Sequence, residues 1–244
     1  MVNRNKFSDV RLDQMCCYCG DMPDTRDHVP SKVLLNDPFP ENLPVVPCCN
    51  ACNQDFSKDE EYFACVIECI INGSAEINDL KREKIQRILS KRPALQKKLA
   101  NAKVVSNDGI SFMVEERRIE KVLLKLAKGH AQFDASSPLL GQPTHLAYKP
   151  LQTMTEEENI KFFSEPVIEK YPEVGSRLFL QIVENQDSTP YSIWQDVQDG
   201  VYSYLISSQM GRLSVRLIIS NFLAAEIIWD EDEMKYESDG FAAE

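Results

Sequence analysis

Hydrophobic periodicity divides the chain into a weakly patterned start, a helical middle and a strand-like end. Residues 1–58 are rich in Pro, Asn, Asp and Cys and contain few periodic apolar runs. We therefore expect loops and short strands there, organised by something other than a hydrophobic core. A helix is predicted over about residues 58–72, because Ser57 and Glu60 have the spacing of a capping box and apolar residues follow at helical spacing before Gly73.

Helical periodicity continues in the middle of the chain. Apolar residues recur at helical spacing over residues 76–102, and a break is expected at Pro93 because proline cannot continue a helix. Residues 110–114 follow a turn signal and predict a short strand. A further helix is predicted over residues 116–128, with Gly129 as its expected end.

The last third of the chain has the composition of strands. A short helix is predicted to open at Thr155, which forms a capping-box pair with Glu158. Beyond it, β-branched, aliphatic and aromatic residues predict an antiparallel meander, with Asp199-Gly200 as a hairpin turn. The predicted strands are Leu178–Val183, Tyr191–Trp194, Val201–Ile206, Leu213–Ile219 and Phe222–Trp229.

Charge is distributed unevenly along the 244 residues, whose formal net charge is -11. Residues 76–130 carry 14 Lys and Arg against 7 Asp and Glu. Such a block can attract phosphates within an acidic chain, because salt screens distant charges within about 10 Å; the alternative is an ordinary solvated helix face. The candidate contacts to nucleic acid are Arg26, Lys58, Lys81, Arg82, Lys84 and Arg87.

The C-terminal part is acidic, since residues 131–244 carry 7 Lys and Arg against 19 Asp and Glu. Three roles remain open for this region. The region would serve as a scaffold, as a docking surface for a partner protein, or as a shield over the basic block. Its last residues, 231–244, are expected to form a solvated acidic tail.

Composition also bounds the location of the protein. No apolar run approaches the roughly 20 residues that span a bilayer, so a membrane protein is not expected. The first ten residues lack the apolar segment of an export signal, which favours a cytoplasmic location. In that compartment, eight cysteines indicate metal binding rather than disulfides.

Four cysteines have the spacing of a metal site. Cys16 and Cys19 form one C-x-x-C pair, Cys49 and Cys52 form a second, and four thiolates are the preferred surroundings of structural zinc. Buried or redox-active thiols are the alternative, and the neighbouring Cys17 and Cys48 leave room for an assignment shifted by one residue. Cys65 and Cys69 are expected to pack in an apolar helix face, and His130 and His145 to be structural or surface residues.

The residues between and after the cysteine pairs complete a larger pattern. Asp27-His28-x-Pro30 follows the first pair, and Asn42 precedes the second, which runs directly into Asn53. Over residues 16–62 this order resembles the zinc-containing branch of the HNH, or ββα-metal, endonucleases. The stretch 125–129 is similar to a segment of stand-alone prokaryotic members.

The resemblance implies roles for these residues. His28 would be the general base that activates water, and Asp27 and Asn53 would offer oxygens to a catalytic Mg²⁺ or Mn²⁺. Asn42 would brace the hairpin loop. Phosphodiester hydrolysis needs such a base together with a cation that stabilises charge on the scissile phosphate.

We therefore predict an α+β protein with a zinc-stabilised ββα-metal nuclease module at residues 1–75. A basic helical region (76–135), an antiparallel β region (136–230) and the acidic tail (231–244) would follow. The expected reaction is DNA hydrolysis, with RNA as a second possible substrate. The protein would be the nuclease of a prokaryotic defence or toxin system. One alternative is a subunit of a larger defence or toxin machine, with a nuclease that is silent until assembly. The main alternative is a non-catalytic zinc module that binds nucleic acid or protein.

Overall fold

The computed structural model describes residues 9–107, 109–164, 172–184, 194–209 and 211–230, and these form the predicted α+β architecture. The helices are α1 (Asn50–Asn72), α2 (Glu83–Lys91), α3 (Pro93–Ala102), α4 (Glu116–Ala135), α5 (Glu156–Phe163) and α6 (Arg177–Glu184). The strands are β1 (Thr25–His28), β2 (Val45–Cys48), β3 (Lys103–Ser106), β4 (Gly109–Phe112), β5 (His145–Pro150), β6 (Gln195–Gln198), β7 (Tyr202–Gln209), β8 (Arg212–Ile219) and β9 (Leu223–Asp230).

The N-terminal part is a two-stranded antiparallel hairpin, β1–β2, followed directly by α1. The predicted helix start near residue 58 is wrong, because α1 begins two turns earlier at Asn50. There the Cys49 sulfur accepts the N–H of Cys52 at 3.4 Å, and a side-chain oxygen of Asp24 accepts the N–H of Asn50 at 2.6 Å. These caps satisfy orphan N–H groups of the first turn, so the helix can start there.

The helical middle has the predicted break, but its first α-helix begins at Glu83 and not at residue 76. Residues 77–79 form one turn of 3₁₀ helix, α2 follows, and α3 begins at Pro93 in the first-turn position that proline tolerates. The predicted strand at 110–114 is confirmed as β4. It pairs with β3, which the sequence analysis did not predict.

Helix α4 is longer than predicted. Gly129 was expected to end it, but the helix continues to Ala135 and ends at Ser136, whose φ is +52°. A Cβ at position 129 would lie 2.6 Å from Cγ2 of Val29, so glycine allows the helix to approach the residue that follows β1. The glycine is therefore present for close packing rather than for chain reversal.

Helix α5 begins where the sequence predicts. The Thr155 hydroxyl accepts the N–H of Glu158 at 3.2 Å, and the Glu158 carboxylate accepts the N–H of Thr155 at 2.8 Å. These reciprocal bonds are the complete capping box.

The predicted strand Leu178–Val183 is wrong, because these residues belong to α6. Leu178 and Ile182, one helical turn apart, are buried in the core, whereas Leu180 and Val183 are exposed. A short apolar run is compatible with either a strand or a helix. Here the buried positions Leu178 and Ile182 are four residues apart, which is the spacing of a helix face.

The C-terminal part is a five-stranded antiparallel sheet in the order β5-β9-β8-β7-β6. Strands β7 to β9 form the predicted meander. Strand β6 lies at 195–198, where no strand was predicted, and the turn at Asp199-Gly200 joins it to β7. Strand β5 was not predicted and pairs with β9 at the edge. The predicted strand Tyr191–Trp194 lies outside the described residues except for Trp194, and the tail at 231–244 lies outside them entirely.

One apolar core joins the N-terminal helix to the C-terminal sheet through α4. It contains Phe63 of α1, Leu123 of α4, Val215 of β8 and Ile227 of β9. Cys65 and Cys69 pack within it, as expected. Among the described residues, no helix is both long and apolar enough to cross a membrane.

Candidate metal centre and active site

The four predicted metal-binding cysteines converge. One sulfur from each of Cys16, Cys19, Cys49 and Cys52 lies within 4.8 Å of the other three. Two come from the loop before β1 and two from the start of α1, so an ion bound there would fasten loop to helix. Four thiolates are the donor set that structural zinc prefers. The site can therefore hold a structural metal such as zinc.

The surroundings of these thiols shift their pKa values in opposite directions. Burial opposes ionisation of Cys16, but N–H groups of Cys49, Tyr18 and Cys19 donate to its sulfur and lower its pKa to about 7. Burial and the sulfurs of Cys49 and Cys19 raise the pKa of Cys52 well above the usual thiol value. Several adjacent thiolates repel one another, and a bound metal ion would relieve that repulsion.

Cys17 and Cys48 lie outside this group of four. The Cys17 thiol is buried and donates to the carbonyl oxygen of Lys128 at 3.5 Å. The Cys48 thiol is also buried and donates to the carbonyl oxygen of Cys49 at 3.2 Å. The C-x-x-C sulfurs, and not these neighbours, form the candidate metal site.

Asp27, a predicted ligand of the catalytic ion, lies in a buried ion network. This residue lies on β1 and is 8% exposed. Oδ2 accepts the Tyr18 hydroxyl at 2.7 Å and lies 2.6 Å from the Lys125 ammonium nitrogen. The same ammonium donates to the Ser31 hydroxyl at 2.8 Å and contacts the Glu60 carboxylate.

His28, the predicted general base, follows Asp27 at the end of β1. Successive side chains leave a strand on opposite sides, so the two residues face different surroundings. His28 is half-buried, and burial lowers its pKa, with the positive charges of Lys32 and Lys125 adding to that effect and Asp27 opposing it. The imidazole is therefore neutral at neutral pH, which is the form that accepts a proton.

The two predicted asparagines occupy different settings. Asn53 lies in the first turn of α1, half-buried, directly after the metal-site residue Cys52. Asn42 lies in an exposed turn before β2, and within the described part of the chain its side chain makes no hydrogen bond to the hairpin. Among described His, Cys, Asp and Glu residues, the cysteine quartet is the one group of three or more donors lying so close together.

Two of the predicted nucleic-acid contacts instead brace the chain after β1. The Arg82 guanidinium donates to the carbonyl oxygens of Val33 and Leu35 at 3.0 and 2.9 Å. The Lys84 ammonium donates to the carbonyl oxygen of Lys32 at 2.6 Å. Both side chains therefore hold the segment that leads away from His28.

The other four predicted contacts are exposed. Arg26 lies on β1 two residues before His28, and Lys58 lies on α1. Lys81 and Arg87 lie just before α2 and within it. All four side chains are therefore accessible to a polyanion such as nucleic acid.

Part of the basic block is already neutralised by α1. Lys121 lies 2.8 Å from a carboxylate oxygen of Asp55 and 2.9 Å from one of Asp59. The Arg118 guanidinium contacts Asp59 at 2.5 Å. These α4 residues hold the two helices together, so their charge is not fully available to a ligand.

The ion network around Asp27 contains four residues that were not predicted from the sequence, namely Tyr18, Ser31, Glu60 and Lys125. Glu60 was assigned to a capping box, and Lys125 was counted with the basic block. One signal was present, since Lys125 flanks the apolar stripe of α4 four residues before Gly129. The partners that bury it are distant in sequence, so only the folded chain reveals the network.

Comparison with known proteins does not place this chain in a family, since no family model, curated protein or solved structure matches it.

Proposed function

We propose that this protein is a divalent-metal-dependent endonuclease that hydrolyses DNA phosphodiester bonds, with His28 as the general base. The observation that carries the proposal is the succession β1–β2–α1 with a four-thiolate site joining its two ends. This arrangement places Asp27 and His28 on the first strand and Asn53 in the first turn of the helix. These are the elements on which the resemblance expects the catalytic residues.

The residues of the chain would divide the chemistry as follows. Neutral His28 removes a proton from water as the water oxygen forms a bond to phosphorus and the P–O bond to the leaving sugar oxygen breaks. The imidazole becomes charged, and the leaving oxygen takes a proton from solvent. Asp27 and Asn53 would hold Mg²⁺ or Mn²⁺, since both offer hard oxygen donors. When bound, that ion supplies positive charge that stabilises the phosphate and the leaving oxygen.

Arg26 supports a nucleic-acid substrate. It lies two residues before His28, and residues at this spacing share one side of a strand. An exposed guanidinium beside the base can bind a backbone phosphate near the scissile bond. Contacts of this kind carry no base specificity.

The acidic region at 131–244 supports a partner protein, as in a prokaryotic defence or toxin assembly. A net negative surface favours a partner with basic charge and disfavours a second polyanion. We also assign the protein to the cytoplasm, because a reduced four-thiol site persists in a reducing compartment.

The test is a plasmid-nicking assay on the purified protein with Mg²⁺, Mn²⁺ or EDTA. We expect metal-dependent nicking by the wild type and a loss of about 100-fold or more in H28A, because removal of a general base typically costs that much. Zinc content and Tm should be unchanged, and H145A, altered at an exposed histidine on β5, should cleave normally. Full activity of purified H28A would refute the role of His28.

One observation favours the alternative of a non-catalytic zinc module. Oδ2 of Asp27 is already bound by Lys125 and Tyr18, so this carboxylate has a structural partner. If the wild type binds nucleic acid or protein with one zinc per chain but cleaves no DNA or RNA with any divalent ion, the alternative is correct.

A further inference from the structure

Lys125 is a charged residue at the centre of the candidate nuclease site. Its side chain is 1% exposed, and its ammonium lies between the carboxylates of Asp27 and Glu60. The Ser31 hydroxyl lies 2.8 Å away as a third oxygen. A buried lysine persists in charged form only where such partners replace water.

The lysine reaches the site from outside the hairpin and α1. It belongs to α4, whereas its partners belong to β1, the loop after β1, and α1. The rings of Tyr18 and Phe56 lie 5.8 and 5.7 Å from the ammonium and enclose it further. Rings at this distance attract a cation and fix its position.

The contacts of Asp27 are asymmetric. Over the described residues, both polar partners of this carboxylate, Tyr18 and Lys125, bind Oδ2. Oδ1 is therefore the oxygen available to another cation. The network also keeps an excess of negative charge, since one ammonium faces the two carboxylates of Asp27 and Glu60.

We propose that Lys125 is a positioning residue of the nuclease site, which holds Asp27 by Oδ2 so that Oδ1 binds the catalytic divalent ion. This inference rests on the proposed function, because it assigns Asp27 to that ion. A ligand fixed in advance loses less conformational freedom on binding the ion, and partners of this kind commonly contribute about 10- to 100-fold to metal affinity.

A purely structural lysine would also stabilise the fold, so the test measures metal binding directly. Mn²⁺ binding is followed by electron paramagnetic resonance without DNA, and plasmid nicking is followed against Mn²⁺ concentration. The variants are K125M, which removes the charge, and K125R, which keeps it. The control is K121M, one turn earlier on α4, where the lysine binds the partly exposed carboxylates of Asp55 and Asp59.

K125M leaves two buried carboxylates without their cation and can fail to fold. The double variant K125M/E60Q removes one positive and one negative charge together, so the net charge of the network is unchanged. It therefore replaces K125M in the same measurements when K125M is unstable. Zinc content and circular dichroism confirm that each variant is folded.

We expect the variant without the ammonium to bind Mn²⁺ about tenfold more weakly or worse and to need correspondingly more Mn²⁺ for half-maximal nicking, with K125R close to the wild type. K121M should match the wild type in both measurements. Unchanged Mn²⁺ binding in a folded, zinc-loaded variant, beside an active wild type, overturns the role of Lys125 alone. An inactive wild type overturns the proposed function and this inference with it.

Discussion

At Gly129, the absence of a side chain brings α4 against the residue that follows β1. The Cβ of any other residue would lie 2.6 Å from Cγ2 of Val29, well inside van der Waals contact. Lys125, one turn earlier, contacts Asp27 of β1. The glycine therefore sets the distance at which helix and hairpin meet.

We predict that G129A lowers the free energy of unfolding by a net amount of up to about 2 kcal/mol, because overpacking usually costs about 1–3 kcal/mol. The better helix propensity of alanine offsets part of that cost, by about 1 kcal/mol. Chemical denaturation measures the change. G141A is the matched control, because a Cβ there has no neighbour within 4 Å. Equal stability of the two variants would show that α4 tolerates the shift.

His130 is a second residue whose setting only the fold defines. It is fully buried, its ring stacks on Tyr204 with centroids 3.7 Å apart, and Nε2 lies 2.9 Å from the Tyr202 hydroxyl oxygen. Asp134 lies 3.8 Å from Nδ1 and is itself bound by Arg177. Burial lowers the pKa of His130, and Asp134 opposes that effect in part.

The lowered pKa of His130 predicts acid sensitivity. As pH falls through the usual histidine value, the unfolded chain takes up a proton that the folded chain does not, so stability is lost below about pH 6.5. Unfolding at pH 7, 6 and 5 should show a steeper loss for the wild type than for H130Q, by at most about 1.4 kcal/mol per pH unit. H145Q, altered at an exposed histidine, should keep the wild-type slope. A wild-type slope in H130Q would contradict the assignment.

At the scale of the element, the start of α1 depends on the metal-site cysteines. Cys49 caps the helix through its sulfur and also belongs to the four-sulfur group. The same residue therefore determines where the helix begins and where the loop before β1 is fastened. Two C-x-x-C pairs in sequence implied the site, but not the earlier helix start.

We predict that C49S loses the metal ion and is destabilised by several kcal/mol, a part of the roughly 10 kcal/mol that structural zinc can contribute. Zinc content by atomic absorption and thermal unfolding measure both effects. C48A should retain one zinc per chain, because Cys48 lies outside the group of four. Loss of zinc in C48A but not in C49S would support the ligand assignment shifted by one residue.

At the scale of the whole molecule, α4 connects the candidate site to the sheet. Its Lys125 contacts the site, while Leu123 lies in the core shared with β8 and β9. The basic block to which it contributes is divided between internal ion pairs and exposed residues. Net charge by segment is therefore a poor measure of the charge available to an anionic ligand.

We predict that K81A/R87A weakens DNA binding and lowers the slope of log affinity against log salt by up to about 2, since each phosphate contact contributes about 0.9. Both side chains are exposed. K121M should leave the slope nearly unchanged, because Lys121 is bound to Asp55 and Asp59. Fluorescence anisotropy at several salt concentrations gives the slopes. An equal effect of both variants would contradict the distinction between exposed basic residues and those held in internal ion pairs.

The sequence by itself determined the features that depend on local spacing. The two C-x-x-C pairs, the capping box at Thr155, the break at Pro93 and the β7–β9 meander each arise from residues close together in the chain. The spacing of a C-x-x-C pair lets two thiolates reach one ion, capping and proline effects depend on the local backbone, and strands follow from the periodicity of apolar residues. These features were therefore predictable from the sequence.

The tertiary structure decided what depends on partners distant in the chain. Only folding shows that Lys125 pairs with Asp27 and Glu60, that Gly129 packs against Val29, and that residues 177–184 form a helix. Burial changes the role of each residue. Buried Lys125 is a counter-ion for two carboxylates, and buried Gly129 is a point of contact between two elements. The local sequence pattern carries no information about which distant segment buries a residue. For this reason the sequence could locate the candidate site but could not identify all the residues that form it.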